Sequence, residues 1–171
     1  DTRGIPARLR ARRPTGGAVE VLLVRDLGAA GDGCRWLALL HSSKPLRPGA
    51  PLDLGGVPAR VGERGPRGEA VLDIGLGGDD FRRHLAARGE VPLPPYIRRA
   101  PEESDRERYQ AVFAREEGAI AAPTAGLHFT ADLMSRLRER GHEIAFLTLH
   151  VGPGTFRPIA SDDLGGHAMD A

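Results

Sequence analysis

The chain has 171 residues, 40% hydrophobic and 27% charged, with 24 Lys plus Arg against 23 Asp plus Glu and a formal charge of +1. That length fits one ordinary domain or two small ones with a true core. Its apolar runs, such as Val21–Val24 and Leu37–Leu40, fall far short of the roughly 20 residues of a membrane-spanning helix, so no membrane role is expected. Cys34 is the one cysteine, which excludes an intrachain disulfide and a Cys-based zinc site and points to a reducing compartment. The 23 Gly and 14 Pro are dispersed between apolar segments, the mark of many short elements rather than disorder. Lys44 is the sole lysine and asparagine is absent, a coding bias. The chain opens at Asp1 without Met or a signal-like segment and stops just after a motif-rich stretch, so it reads as an internal piece of a longer protein.

The first part of the chain predicts closely spaced short strands. Ile5, Ala7, Leu9 and Ala11 alternate with Pro6, Arg8, Arg10 and Arg12, the period of a half-buried strand. Ala18–Arg25, Cys34–His41, Val57–Arg64 and Glu69–Ile74 follow, separated by Gly16-Gly17, Gly31-Asp32-Gly33, Pro48-Gly49, Gly55-Gly56 and Gly65. Such spacing indicates a small antiparallel barrel or sandwich, with Ile5, Leu9, Val21, Leu23, Trp36 and Val61 inside.

The second half changes character. Asp79 or Asp80 can cap a short helix carrying Phe81, Leu85 and Ala86, with Gly89 as a left-handed stop. Pro92, Pro94 and Pro95 force an extended segment. Ser104-Asp105-Arg106-Glu107 reads as a capping box opening a helix with the apolar stripe Tyr109, Val112 and Phe113. Thr130 caps a further helix with Leu133, Met134 and Leu137 inward and Gly141 just past its end, and Ile144–Val151 reads as a strand. Helix-then-strand order predicts an α/β layer.

Two segments stand out chemically. Gly118–Thr130 (GAIAAPTAGLHFT) is either a tightly packed turn with a capping Thr or a loop that lets a ligand approach the backbone at a helix start. His150 falls at the carboxyl end of the expected strand, followed by Gly152-Pro153-Gly154-Thr155-Phe156-Arg157. Ligands of α/β sheets gather there, although a lone His is as readily structural. That loop is neither a Walker A nor a GxGxxG fingerprint. Arg8, Arg10 and Arg12 share one strand face, a phosphate-contacting stripe or a solvated barrel surface. Pro101–Glu117, with six acids and three arginines, reads as a solvated helix. His41, His84 and His142 carry no assigned role, and no metal-ligand spacing occurs.

At these residues the sequence resembles the S-adenosylmethionine:tRNA ribosyltransferase-isomerase family of the queuosine pathway. The matching stretches are Asp1-Thr2-Arg3 with Ile5–Leu9, Ser43–Gly49, Pro92-Leu93-Pro94-Pro95-Tyr96-Ile97, Asp105–Gln110, AAPTAGLHFT at Ala121–Thr130 and TLHVGPGTFRP at Thr148–Pro158. The resemblance implies a six-stranded antiparallel β-barrel inserted in an α/β main domain. Residues 1–3 would begin the main domain, 4–90 form the barrel with a short closing helix, and 91–171 belong to the catalytic α/β part. It further implies transfer and isomerisation of the ribosyl group of S-adenosylmethionine onto 7-aminomethyl-7-deazaguanine at the tRNA wobble position, giving epoxyqueuosine with release of adenine and methionine. S-adenosylmethionine is then a co-substrate, with no tightly bound cofactor and no metal. The enzyme is expected to be a cytoplasmic monomer.

Removal of a proton beside the sulfonium needs a base, and imidazole exchanges protons near neutral pH, so His128 and His150 are the candidates. Arg3, Tyr96, Thr124, Gly126, Gly152, Gly154, Thr155 and Arg157 fall in the matching motifs as binding candidates, and Arg8, Arg10 and Arg12 as RNA-contact candidates. The alternative is a non-catalytic RNA-binding barrel. The sequence departs from the family at Gly4, usually aliphatic, and at His167-Ala168-Met169-Asp170-Ala171, where the pattern is H-x-M-H-x-E. The family's N-terminal segment and C-terminal third are absent, so residues 1–171 alone are expected to be inactive.

Overall fold

In the computed structural model the described residues are 1–94 and 97–150. They divide into two compact units, one of Pro6–Pro92, the other of Asp1–Ile5 with Leu93–Ala171. No helix among the described residues is long and apolar enough to cross a membrane.

The Pro6–Pro92 unit is a closed antiparallel barrel. Counting from β1 (Thr2–Gly4), which belongs to the other unit, its strands are β2 (Arg8–Arg12), β3 (Ala18–Ala30), β4 (Gly33–His41), β5 (Pro51–Asp53), β6 (Pro58–Arg64) and β7 (Glu69–Ile74), in the order β2-β3-β4-β7-β6-β5. The register faces Leu9 with Val21, Leu23 with Ala38, and Trp36 and Val61 with Leu72. Period-2 alternation therefore delivers one continuous interior: Leu9, Val21, Leu23, Trp36, Leu72 and Val61 are all buried. Two register shifts in β3, at Leu23/Arg25 and Asp26/Gly28, let a 13-residue strand curl around the closing sheet.

Two barrel expectations need correction. Ile5 is only half-buried and lies in the other unit, where its N–H donates to Ala119 O at 3.0 Å; Pro6 has no N–H with which to extend that pairing into β2. No strand is expected from the residues between the turn signals Pro48-Gly49 and Gly55-Gly56, because the three residues of β5, Pro51–Asp53, offer no period to test. It nevertheless completes the barrel, pairing with β6 and meeting β2 at Arg12↔Asp53.

Helix α1 (Gly78–Arg88) buries Phe81 and Leu85, and Phe81 meets the Trp36 ring edge-on with centroids 6.0 Å apart. Its N-cap is Gly77, with Asp79 and Asp80 inside the first turn, where carboxylates favour the helix dipole instead of capping. Gly89 is extended (φ −71°, ψ 148°) rather than left-handed. A Cβ there would lie 2.1 Å from Pro6 O, so close backbone approach selects the glycine.

In the other unit, β1 pairs in parallel with β8 (Glu116–Ala119). The expected capping-box helix is only the single turn α2 (Asp105–Arg108), with no side-chain cap from Ser104. Its expected stripe dissolves: Tyr109 is buried, Val112 is 51% exposed and Phe113 joins an aromatic cluster. Helix α3 (Ala131–Glu139) starts as expected, with Thr130 Oγ1 accepting from Leu133 N–H at 3.1 Å. It ends in a Schellman motif, His142 N–H to Leu137 O and Gly141 N–H to Arg138 O, with Gly141 at φ +81°. Only Met134 of its expected inward residues is buried; Leu133 is 38% exposed. Residues 144–150 of the expected Ile144–Val151 strand form no strand. A strand exists through its ladder, and no sheet neighbour pairs with this segment among the described residues, leaving Leu147 72% and Leu149 67% exposed.

Candidate functional site

The site region is organised around the β1–β8 pair. Thr2 is buried, and its hydroxyl lies 3.4 Å from Glu116 O and 3.1 Å from Nδ1 of His150. The Asp1 nitrogen donates to Leu147 O at 2.6 Å, and the Thr148 hydroxyl donates to the Asp1 carboxylate at 2.7 Å. Residues 147–150 thus run beside β1, tied by single bonds. Gly118 supplies the floor under His150. Its φ is +138°, and an added Cβ would fall 2.9 Å from the ring's Cε1, so backbone geometry and space both demand glycine. On Gly4, the Gln110 carboxamide accepts from Gly4 N–H at 3.0 Å and donates to Gly4 O at 2.8 Å, imitating a neighbouring strand. Arg3 is exposed, opposite Glu117 in register.

The AAPTAGLHFT run leaves the carboxyl end of β8. Ala119, Ile120, Ala121 and Ala122 are buried, followed by a 3-10 turn at Thr124–His128. Thr124 and His128 are exposed; His128 Nδ1 lies 3.3 Å from Ala125 O in its own turn. Gly126 is buried, and a Cβ there would sit 3.1 Å from Ala111 Cβ and Phe113 Cζ, so it has a packing role in the described structure. Phe113 binds the region together, with its ring 6.1 Å from Phe129 and 6.3 Å from Phe146, while Arg115 lies 5.3 Å over the Phe146 ring. Through it the Thr124–His128 turn and the 144–150 segment meet a common aromatic cluster. Among the described residues no hydrogen bond or ring contact joins His128 to His150. Tyr96, Gly152, Gly154, Thr155 and Arg157 lie outside the described residues.

Sequence reasoning overlooked several residues that shape this region. Thr2 and Gln110 stand inside matched motifs but carry no chemistry of their own; only a partner distant in sequence reveals their roles. Asp105 is the clearest omission. It is buried, accepts both Arg99 terminal nitrogens at 2.6 and 2.7 Å and the Glu102 N–H at 2.8 Å, and its carboxyl is held down at about 2, first by the Arg99 hydrogen bonds and then by the Glu102 amide. A buried acid opposite a fork-shaped cation is a positioning device.

On the barrel, Arg8, Arg10 and Arg12 do share the outer face of β2, between buried Leu9 and Ala11. Arg8 Nε is 3.6 Å from Glu20, an ion pair too long for a hydrogen bond, and Arg10 Nε is 2.8 Å from Glu90. The Glu90 hydrogen bond raises the Arg10 pKa further. Arg12 is exposed. His84, which the sequence left without a role, bonds Leu54 O at 2.7 Å and stacks on Phe81.

The family model described as queuosine biosynthesis protein matches residues 1–171. The chain is 51% identical over 171 residues to the S-adenosylmethionine:tRNA ribosyltransferase-isomerase of Anaeromyxobacter sp. (strain Fw109-5), covering 100% of this chain and 49% of that protein. The relative of the same name from Citrifermentans bemidjiense is 52% identical over 170 residues, covering 99% and 49%. That from Acidithiobacillus ferrooxidans is 52% identical over 180 residues, covering 100% and 48%. The chain spans about half the length of the curated relatives it matches. At this identity along its whole length, the chain belongs to the queuosine biosynthesis protein family.

Proposed function

We propose that the protein carrying this chain transfers and isomerises the ribosyl group of S-adenosylmethionine onto 7-aminomethyl-7-deazaguanine in the tRNA anticodon, yielding epoxyqueuosine, adenine and methionine. One observation carries the reading: identity near one half, over 99–100% of this chain, to relatives named for this reaction. The barrel is read as an insertion in an α/β main domain, supported by a unit built from chain on both sides of the barrel, Asp1–Ile5 and Leu93–Ala171. The protein works in the cytoplasm as a monomer, with S-adenosylmethionine as co-substrate and no tightly bound cofactor.

His150 and His128 are the base candidates for the proton beside the sulfonium. His150 is the better positioned, because Thr2 and Gly118 set its ring on two sides, whereas the His128 ring bonds Ala125 O within its own turn among the described residues. Thr124, exposed at the start of the turn after β8, is suited to a ribose hydroxyl. Arg3, Tyr96, Gly126, Gly152, Gly154, Thr155 and Arg157 complete the donor-binding set, Arg157 being able to hold the methionine carboxylate bidentately. Arg8, Arg10 and Arg12 remain candidates for RNA phosphate.

The test is adenine release from S-adenosylmethionine with tRNA bearing the aminomethyl-deazaguanine base. It is run on residues 1–171 alone and joined to the remaining half of the Anaeromyxobacter relative. The joined protein should release adenine in proportion to modified tRNA and the 171-residue chain should not. Absence of adenine from both, with the intact relative active alongside, would overturn the transferase reading.

A further inference from the structure

The charge on the barrel is unevenly neutralised. Arg8, Arg10, Arg35, Arg82 and Arg83 each face a carboxylate: Glu20, Glu90, Asp73, Asp26 with Asp79, and Asp80. Around the loop 42–50 the pattern inverts. Arg13 donates to Ser42 Oγ at 3.2 Å, to Pro45 O at 3.3 Å and to Lys44 O. Arg64 donates to Leu46 O at 3.3 Å and Arg60 to Gly49 O at 2.9 Å. The hydrogen bonds of these three guanidiniums go to neutral oxygens, which leave the cationic charge formally in place; Arg60 also stands opposite Asp73 in register. Lys44 and Arg47 project from the same loop, both exposed. Among the described residues no carboxylate lies within 4.0 Å of any of these five cations, Glu63 beside Arg64 included.

The loop is also held firmly. Leu46 is buried beneath it, and Gly49 N–H donates to Val61 O at 2.7 Å while Val61 N–H donates to Ala50 O at 2.9 Å. Pro45 and Pro48 restrict its backbone further. Charges fixed before binding lose little entropy on association.

From this juxtaposition we infer that the 42–50 loop, with Lys44 and Arg47 outward and Arg13, Arg60 and Arg64 behind it, is a docking surface for the phosphate backbone of RNA, in addition to the β2 face. The inference rests on the tRNA-acting reading and adds where the barrel grips. Charges spread along an exposed loop suit a row of phosphates; a single small anion would need its donors converging, and here the guanidinium donors are turned onto the loop's own carbonyls.

The experiment measures binding of an unmodified tRNA transcript to the chain between about 50 and 200 mM salt, with Lys44→Gln/Arg47→Gln beside a charge-matched control, Arg35→Gln/Arg82→Gln. The loop variant should bind about tenfold more weakly at low salt, its plot of log affinity against log salt shallower by about 1–2. The control should stay within about twofold, since exposed ion pairs contribute little. A loop variant within twofold of the parent, an equal loss in the control, or no tRNA binding by the parent would overturn the inference. Adenine release is measured in parallel on the protein joined to the remaining half of the Anaeromyxobacter relative, with tRNA bearing the aminomethyl-deazaguanine base, and separates the cases. Normal release with unaltered binding rejects this docking surface alone, whereas no release from the joined protein, with the intact relative active alongside, rejects the transferase reading beneath it.

Discussion

Replacing Asp105 by Asn preserves shape and removes charge, so it isolates the carboxylate that anchors the segment before Tyr109. The Asp105 pKa is lowered from 3.8 to about 2, which as a free energy is roughly 2 kcal/mol at most. Arg99 is 41% exposed on its side of the pair while the carboxylate is 6% exposed, so solvent screens part of the attraction and about 1–2 kcal/mol is expected. Because the folded value lies below the unfolded one, this contribution is fully present above about pH 4 and disappears as pH falls through about 2. The readout must be local, since the chain's tryptophan, Trp36, reports on the barrel. Amide exchange at Glu102, whose N–H meets the carboxylate at 2.8 Å, and at Tyr109, whose N–H meets Asp105 O at 2.9 Å, provides it. At neutral pH both amides should exchange about 5- to 30-fold faster in Asp105→Asn than in the parent. The ratio should approach one as pH drops towards 2. A ratio constant across that range, or no acceleration at neutral pH, would refute the assignment of the stabilisation to the charged pair.

Two further outcomes follow from the packing. Gly118→Ala places a Cβ 2.9 Å from His150 Cε1 at φ +138°, which should shift the His150 ring resonances and, in the protein joined to the remaining half of the Anaeromyxobacter relative, lower adenine release by at least about tenfold; unchanged resonances would show that the ring does not rest there. Phe81→Ala empties a fully buried site against Trp36, costing the barrel about 3–5 kcal/mol in urea unfolding and red-shifting Trp36 emission; a loss under about 1 kcal/mol would mean that α1 does not seal the core.

Local sequence determined most of the barrel. Alternation of Leu9 and Ala11 with Arg8, Arg10 and Arg12, and the apolar runs of β3, β4, β6 and β7, specify strands because side-chain direction in a strand follows position parity. Thr130 and Gly141 marked the two ends of α3 for the same reason: capping is settled within a few residues. Tertiary structure decided what depends on distant partners. β5 is too short to show a period and becomes a strand by closing the barrel between β2 and β6. The stretch 144–150 has strand composition yet gains no ladder, since composition cannot provide a neighbour. Ser104-Asp105-Arg106-Glu107 spells a helix start, but the Asp105 side chain is drawn to Arg99 and the Glu102 amide, and the helix ends after one turn. His150 acquires its orientation from Thr2 and Gly118, which lie 148 and 32 residues away in sequence. The exposed charge of the barrel was likewise undecided by counting arginines: which of them meet Glu20, Glu90 or Asp73, and which donate to neutral oxygens instead, is a property of the closed sheet.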